Sequence, residues 1–105
     1  MAEPRIKLDH EKIAAFCRKW RIVELSLFGS VLRDDFRADS DVDVLVKFAP
    51  NRLVGLEEFL GMQDELQAML GRNVDLITRR SVEHSRNYLR KAEILEFAQV
   101  VYEAA

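Results

Sequence analysis

The sequence predicts a small α/β (α+β) fold: a mixed β-sheet with helices mainly on one face. Three observations predict it. Segments with the 3.6-residue apolar period alternate with short β-branched runs, in the order helix, strand, short helix, strand, helix, strand, helix. The run Val44-Leu45-Val46 is continuously apolar, as in a central strand covered on both faces. Turn residues (Gly29-Ser30, Pro50-Asn51, Gly71) separate the periodic segments. A chain of 105 residues suits one domain, residues 1–105, with one core.

Each element has a local reason. Asp9 reads as the N-cap of a helix through about Lys19, with Ile13, Ala14, Phe16 and Cys17 on or near one face. Trp20 is expected to close that helix against the sheet. Residues 23–28 read as a strand. Gly29-Ser30 then turns the chain into a short helix over 31–34, with Ser30 as its cap. The second strand, Val42–Phe48, is broken by Pro50-Asn51. Leu56, Phe59, Leu60, Leu66 and Leu70, with Gln63 as a polar interruption, give a helix over about 55–70 that Gly71 ends. Gly61 inside it costs about 1 kcal/mol against alanine, a cost that close packing on the sheet would explain. Residues 73–78 form a short strand. Ser81 caps a last helix through the nineties, with Leu89, Ala92, Leu95 and Ala98 on its apolar side. Val100-Val101-Tyr102 either ends that helix or forms an edge strand; both readings stay open.

Composition narrows the function. Apolar content of 49% and charged content of 32% are ordinary for a soluble globular protein. A net charge of −2 argues against a strong non-specific grip on nucleic acid. No apolar run reaches membrane-spanning length and no signal peptide is evident, so a cytoplasmic location is expected. Cys17 is the only cysteine, which excludes an intrachain disulfide and reads as a small core residue. His10 and His84 lack a second histidine or cysteine at ligand spacing, so zinc is not expected. Asp34, Asp35, Arg37 and Asp39 read as a solvated loop. Arg79, Arg80, Arg86, Arg90 and Lys91 read as a solvated basic face, close enough to Asp75 to meet an acidic partner or an RNA acceptor.

The chemistry concentrates between Gly29 and Asp43. Side chains alternate along a strand, so Asp41 and Asp43 point the same way with Cα atoms roughly 6.5–7 Å apart. Two carboxylates on one side repel each other, and a divalent cation between them removes that cost. Mg²⁺ is the expected ion, because it takes hard oxygen ligands alongside substrate phosphates. Gly29 allows close backbone approach of a phosphate, and Ser30 places a hydroxyl and a helix start beside it. A small-residue turn and paired acids, each weak alone, are together the two halves of a nucleotide-handling site.

Leu27-Phe28-Gly29-Ser30-Val31-Leu32-Arg33 followed by Ser40-Asp41-Val42-Asp43-Val44-Leu45-Val46 resembles the DNA polymerase beta nucleotidyltransferase superfamily, and most of all its minimal nucleotidyltransferases. The likeness runs from about Val23 to Ile77. It implies a polymerase-beta-like fold and a third carboxylate from a later strand, for which Asp75 is the candidate. Asp41, Asp43 and Asp75 would then be catalytic residues and metal ligands, with two Mg²⁺ ions about 3.5–4 Å apart. Gly29, Ser30, Arg33 and Ser40 would bind the nucleotide. The implied reaction moves a nucleoside monophosphate, AMP from ATP, to a hydroxyl. The implied partner is a HEPN-domain toxin whose tyrosine accepts the AMP, which makes the chain an antitoxin. A second copy of the chain is the other candidate partner. The alternative from a different class is a non-catalytic module that neutralises its partner by docking. The base preference, the acceptor and the number of nucleotides transferred lie beyond the sequence.

Overall fold

The computed structural model describes residues 6–33, 36–37 and 40–104. The chain begins with helix α1, His10–Trp20. Asp9 caps it, accepting from the amides of Glu11 and Lys12 at 3.1 and 3.2 Å. Arg21, in the left-handed region with φ 58°, ends it and turns the chain into strand β1, Ile22–Phe28. Strand β2, Val42–Phe48, helix α2, Leu56–Leu70, and strand β3, Val74–Thr78, follow near the predicted bounds. Gly71 ends α2 with φ 67°, as its place after the last apolar residue predicts.

The sheet has four strands in the order β3-β2-β1-β4, where β4 is Gln99–Glu103. β1 pairs antiparallel with both β2 and β4, and β2 pairs parallel with β3, so the sheet is mixed. The open choice at residues 100–102 therefore resolves as an edge strand, with Ser26 opposite Val100 and Leu25 opposite Tyr102. β2 is central: Val44, Leu45 and Val46 are all buried, as their unbroken apolar run requires.

Alternation along the strands builds two apolar layers. Leu25, Leu27, Val42, Val44, Val46, Val74 and Leu76 face Ile13, Phe16 and Cys17 of α1 and Met62 and Leu66 of α2. The two long helices thus share one face. On the other face Phe28 and Leu45 pack with Val82 and Ile94. These last two come from short helices, α3, Arg79–Glu83, and α4, Tyr88–Phe97.

Those two helices replace the single helix expected after Ser81. Thr78 is the first cap, its Oγ1 accepting from the Ser81 amide at 3.1 Å, and Asn87 is the second, its Oδ1 accepting from the Arg90 amide at 3.1 Å. Two capping side chains, Thr78 and Asn87, nine residues apart, give two short helices rather than one long one. The apolar face also differs. Leu89 is 86% exposed, and the inward face is set by Ile94 with Leu95 and Ala98 beside it. The positions 89, 92, 95 and 98 step by three and drift off a helix face. The spacing 91, 94, 95, 98 keeps to it.

The expected short helix over 31–34 is a 3₁₀ turn, Gly29–Leu32. Its cap position is Phe28 and no side chain caps it, so Ser30 lies inside the turn rather than before it. Arg33 follows the turn with extended backbone. Asp34, Asp35 and Asp39 lie outside the described residues.

Trp20 does close α1, half-buried against the main core, and its Nε1 donates to Glu65 Oε2 at 2.8 Å. Lys19 Nζ donates to the other oxygen of that carboxylate at 2.6 Å. Gly61 faces Trp20 rather than the sheet: an added Cβ would meet the indole at 3.7 Å, an ordinary contact. Cys17 is fully buried, and burial pushes its thiol up to about 12 against a small opposing effect of Arg18.

Candidate active site

The site forms where β1, β2 and β3 present one face beside α4. Phe28 is the register partner of Asp43 across the antiparallel pair, so the residue after Phe28 must turn in the space next to that carboxylate. Gly29 does so with φ 77°. A Cβ there would lie 3.2 Å from Asp43 Cγ and inside contact distance of its Oδ2. Both the conformation and the space call for glycine.

Asp43 and Asp75 are Cα partners across the parallel pair of β2 and β3, and neighbouring strands lie about 4.8 Å apart. Partners at one register point to the same face, so these carboxylates stand side by side. Asp41 lies two residues before Asp43, just outside the strand, and the Val42 between them is buried on the opposite face. Asp43 is half-buried; Asp41 and Asp75 are exposed. Burial pushes the Asp43 carboxyl up, the neighbouring charges of Asp75 and Asp41 push it further, and Arg90 and Arg33 partly oppose them. Asp75 and Asp41 therefore both lie close enough to act on Asp43. Among the described residues, no group of three or more histidine, cysteine, aspartate or glutamate side chains is disposed to hold a metal ion as it stands.

A cleft of about 690 Å³ opens beside Asp43. It brings together Gly29, Arg33 and Asp43 from the expected set. Phe28, Leu32, Ile94 and Phe97 give it apolar walls, and Arg90, Glu93 and Gln99 add polar groups. Asp41, Asp75, Ser30 and Ser40 do not line it. Sequence reasoning placed Arg90 in a solvated basic face and missed its neighbours. The positions 90, 93, 94 and 97 fall on one helical stripe, and that spacing is the signal that links them.

Ser30 sits within the 3₁₀ turn, its carbonyl accepting from the Arg33 amide at 2.9 Å. Ser40 has a different environment. Its Oγ accepts from the Arg37 amide at 3.0 Å, and its own amide donates to the Arg37 carbonyl at 3.1 Å. The hydroxyl thus braces the approach to Asp41. Arg72, which sequence reasoning also missed, reaches the same turn, donating to the Arg37 carbonyl at 2.9 Å and stacking on the Phe36 ring at 4.5 Å.

The arrangement can take an anionic, partly apolar ligand in the cleft, with Asp43 in its wall and Asp75 beside Asp43 on the next strand. The Nucleotidyltransferase domain family model matches residues 10–100. A Methanocaldococcus jannaschii protein provisionally named a protein adenylyltransferase is 34% identical over 83 residues, 79% of each chain. The protein adenylyltransferase MntA of Thermococcus cleftensis is 36% identical over 64 residues, 61% of this chain and 63% of its own. In fold, the chain is similar to a solved complex of a tri-AMPylated Shewanella oneidensis HEPN toxin with an MNT antitoxin, with TM-score 0.62, 18% identity and 90% of this chain and 70% of that one covered. Among the described residues, no helix is long and apolar enough to cross a membrane.

Proposed function

Because the chain belongs to the nucleotidyltransferase domain family, we propose that it transfers AMP from ATP to a tyrosine hydroxyl of a HEPN-domain partner, as an antitoxin. The observation that carries the reading is the junction of Gly29, Asp43 and Asp75: a glycine held against one carboxylate, with a second carboxylate at the same register on the next strand. The names of the relatives support AMP as the group moved, and the HEPN complex supports the kind of partner.

In this reading the acceptor oxygen attacks the α-phosphorus, the bond from that phosphorus to the bridging oxygen of the β-phosphate breaks, and pyrophosphate leaves. Asp75 is exposed, which suits it to meet an incoming tyrosine and take its proton. Asp41 and Asp43 lie at the reacting phosphate's end of the nucleotide, where they would face it through a bound cation. The uncapped start of the Gly29–Leu32 turn offers amides to phosphate oxygens. Arg33 places positive charge beside Asp43 for the same phosphates. Ser30 contributes its hydroxyl there, and Ser40 acts on the approach to Asp41.

The donor set fits Mg²⁺. The oxygens are hard, and the burial of the Asp43 carboxylate together with its repulsion by Asp75 and Asp41 is a cost a divalent cation lowers. Asp41, Asp43 and Asp75 would hold it, after their carboxylates turn toward one another. When bound, it supplies charge neutralisation and polarises phosphate oxygens.

The test is incubation of the protein and a HEPN-domain partner with α-labelled ATP and Mg²⁺. Label on the partner, lost with Asp43→Asn, supports the reading. Neutralisation of the toxin by Asp41→Asn and Asp43→Asn proteins, with no label transferred by wild type, establishes the docking module instead.

A further inference from the structure

Asp41 stands outside the sheet, yet the reading above needs it beside Asp43 and Asp75. Its backbone is held on both sides by the two residues that lead into β3. On its C-terminal side, the Val42 amide donates to the Asn73 carbonyl at 2.9 Å. On its N-terminal side, the Ser40 carbonyl accepts from Arg72 Nη1 at 3.4 Å. The same nitrogen donates to the Arg37 carbonyl at 2.9 Å, and the guanidinium lies 4.5 Å from the Phe36 ring centre. Arg72 therefore ties three points of the turn before Asp41 to the strand that carries Asp75.

We propose that Arg72 is the positioning residue for Asp41. It fixes the distance of that carboxylate from Asp75, and so sets the affinity of the acid site for a divalent cation. The inference rests on the nucleotidyltransferase reading of the three acids. The guanidinium bonds two carbonyls through Nη1 while its plane lies over a ring; an ammonium has a shorter head and no planar face, so lysine would not keep all three contacts at once. Lysine at this position keeps the charge and loses the geometry.

The sign of the effect separates positioning from charge. A guanidinium near a cation site repels the cation, so removal of the charge alone would tighten binding. Loss of positioning weakens it, by roughly 10–100-fold for a group that orients a metal ligand.

The experiment is Mn²⁺ titration followed by the electron paramagnetic resonance of the free hydrated ion, without nucleotide because ATP itself chelates Mn²⁺, for wild type, Arg72→Ala and Arg72→Lys. Thermal melts confirm that each variant is folded. The expected result is Mn²⁺ binding weakened about tenfold or more in both variants, since either loses the bridge. Arg72→Lys serves alone if Arg72→Ala does not fold. Binding by both variants equal to or tighter than wild type overturns the inference and leaves the reading of the acids standing. Absence of Mn²⁺ binding by wild type overturns that reading, and the inference with it.

Discussion

At Gly29 two demands meet: a φ of 77° and a Cβ position occupied by the Asp43 carboxylate. Gly29→Ala should therefore cost about 1–2 kcal/mol for the left-handed backbone and force Asp43 to move. Displacement of a reacting group by about 1 Å costs roughly 100-fold, so AMP transfer should fall by about that factor. A thermal melt and a labelled-transfer assay read the two effects. Asp43 itself should trade stability for activity. Its carboxyl is raised, so the folded chain holds a proton that the unfolded chain gives up. Its contribution favours folding at acid pH and is lost as pH rises from the ordinary carboxylate value, 3.8, through the raised one. Without divalent cation, Asp43→Asn should melt higher than wild type at neutral pH, and the gap should widen across that window and then level off. Transfer by the same variant should fall about 100-fold or more. Cys17, buried with its thiol at about 12, should resist thiol reagents at pH 7 until the protein unfolds. At this scale the sequence was informative where chemistry and chain direction coincide. Gly29 and Asp43 could be read from a turn and an alternation, and Asp75 was singled out by the family resemblance. Arg72 could not be read this way, because its contacts cross 32 or more residues, which no local spacing encodes; for Arg90 the helical stripe links its cleft neighbours but not the Asp43 it faces.

Among the elements, the strands were the most legible part of the fold. Alternation and burial fix which face of β2 carries Asp43, and the parallel pairing with β3 then brings Asp75 to the same register. The strand β4 was ambiguous because Val100, Val101 and Tyr102 suit either a helix end or an edge; pairing with β1 decides it. The last helical segment was misread because Thr78 and Asn87 each offer a local cap, and competing caps split a helix that periodicity alone would run together. That split matters for the site, since α4 starts anew after its cap Asn87 and supplies Arg90, Glu93, Ile94 and Phe97 to the cleft. Asn87→Ala should cost about 1 kcal/mol by removal of the cap. Ile94→Ala should cost about 2–5 kcal/mol, because Ile94 joins α4 to Phe28 and Leu45. Chemical denaturation measures both, and ATP affinity should weaken with either if α4 forms a wall of the nucleotide site.

For the whole molecule, the four-stranded sheet sets Asp43 beside the cleft, and in this account a protein partner supplies the acceptor. Asp75 is exposed at the register of Asp43, where a tyrosine carried by another folded chain can reach it. The most direct test of this account is mass spectrometry of a HEPN-domain partner after incubation with the chain, ATP and Mg²⁺. The account predicts that the partner gains AMP on a tyrosine with wild type and gains none with Asp43→Asn. An unmodified partner whose toxicity is nonetheless neutralised by both proteins would contradict it.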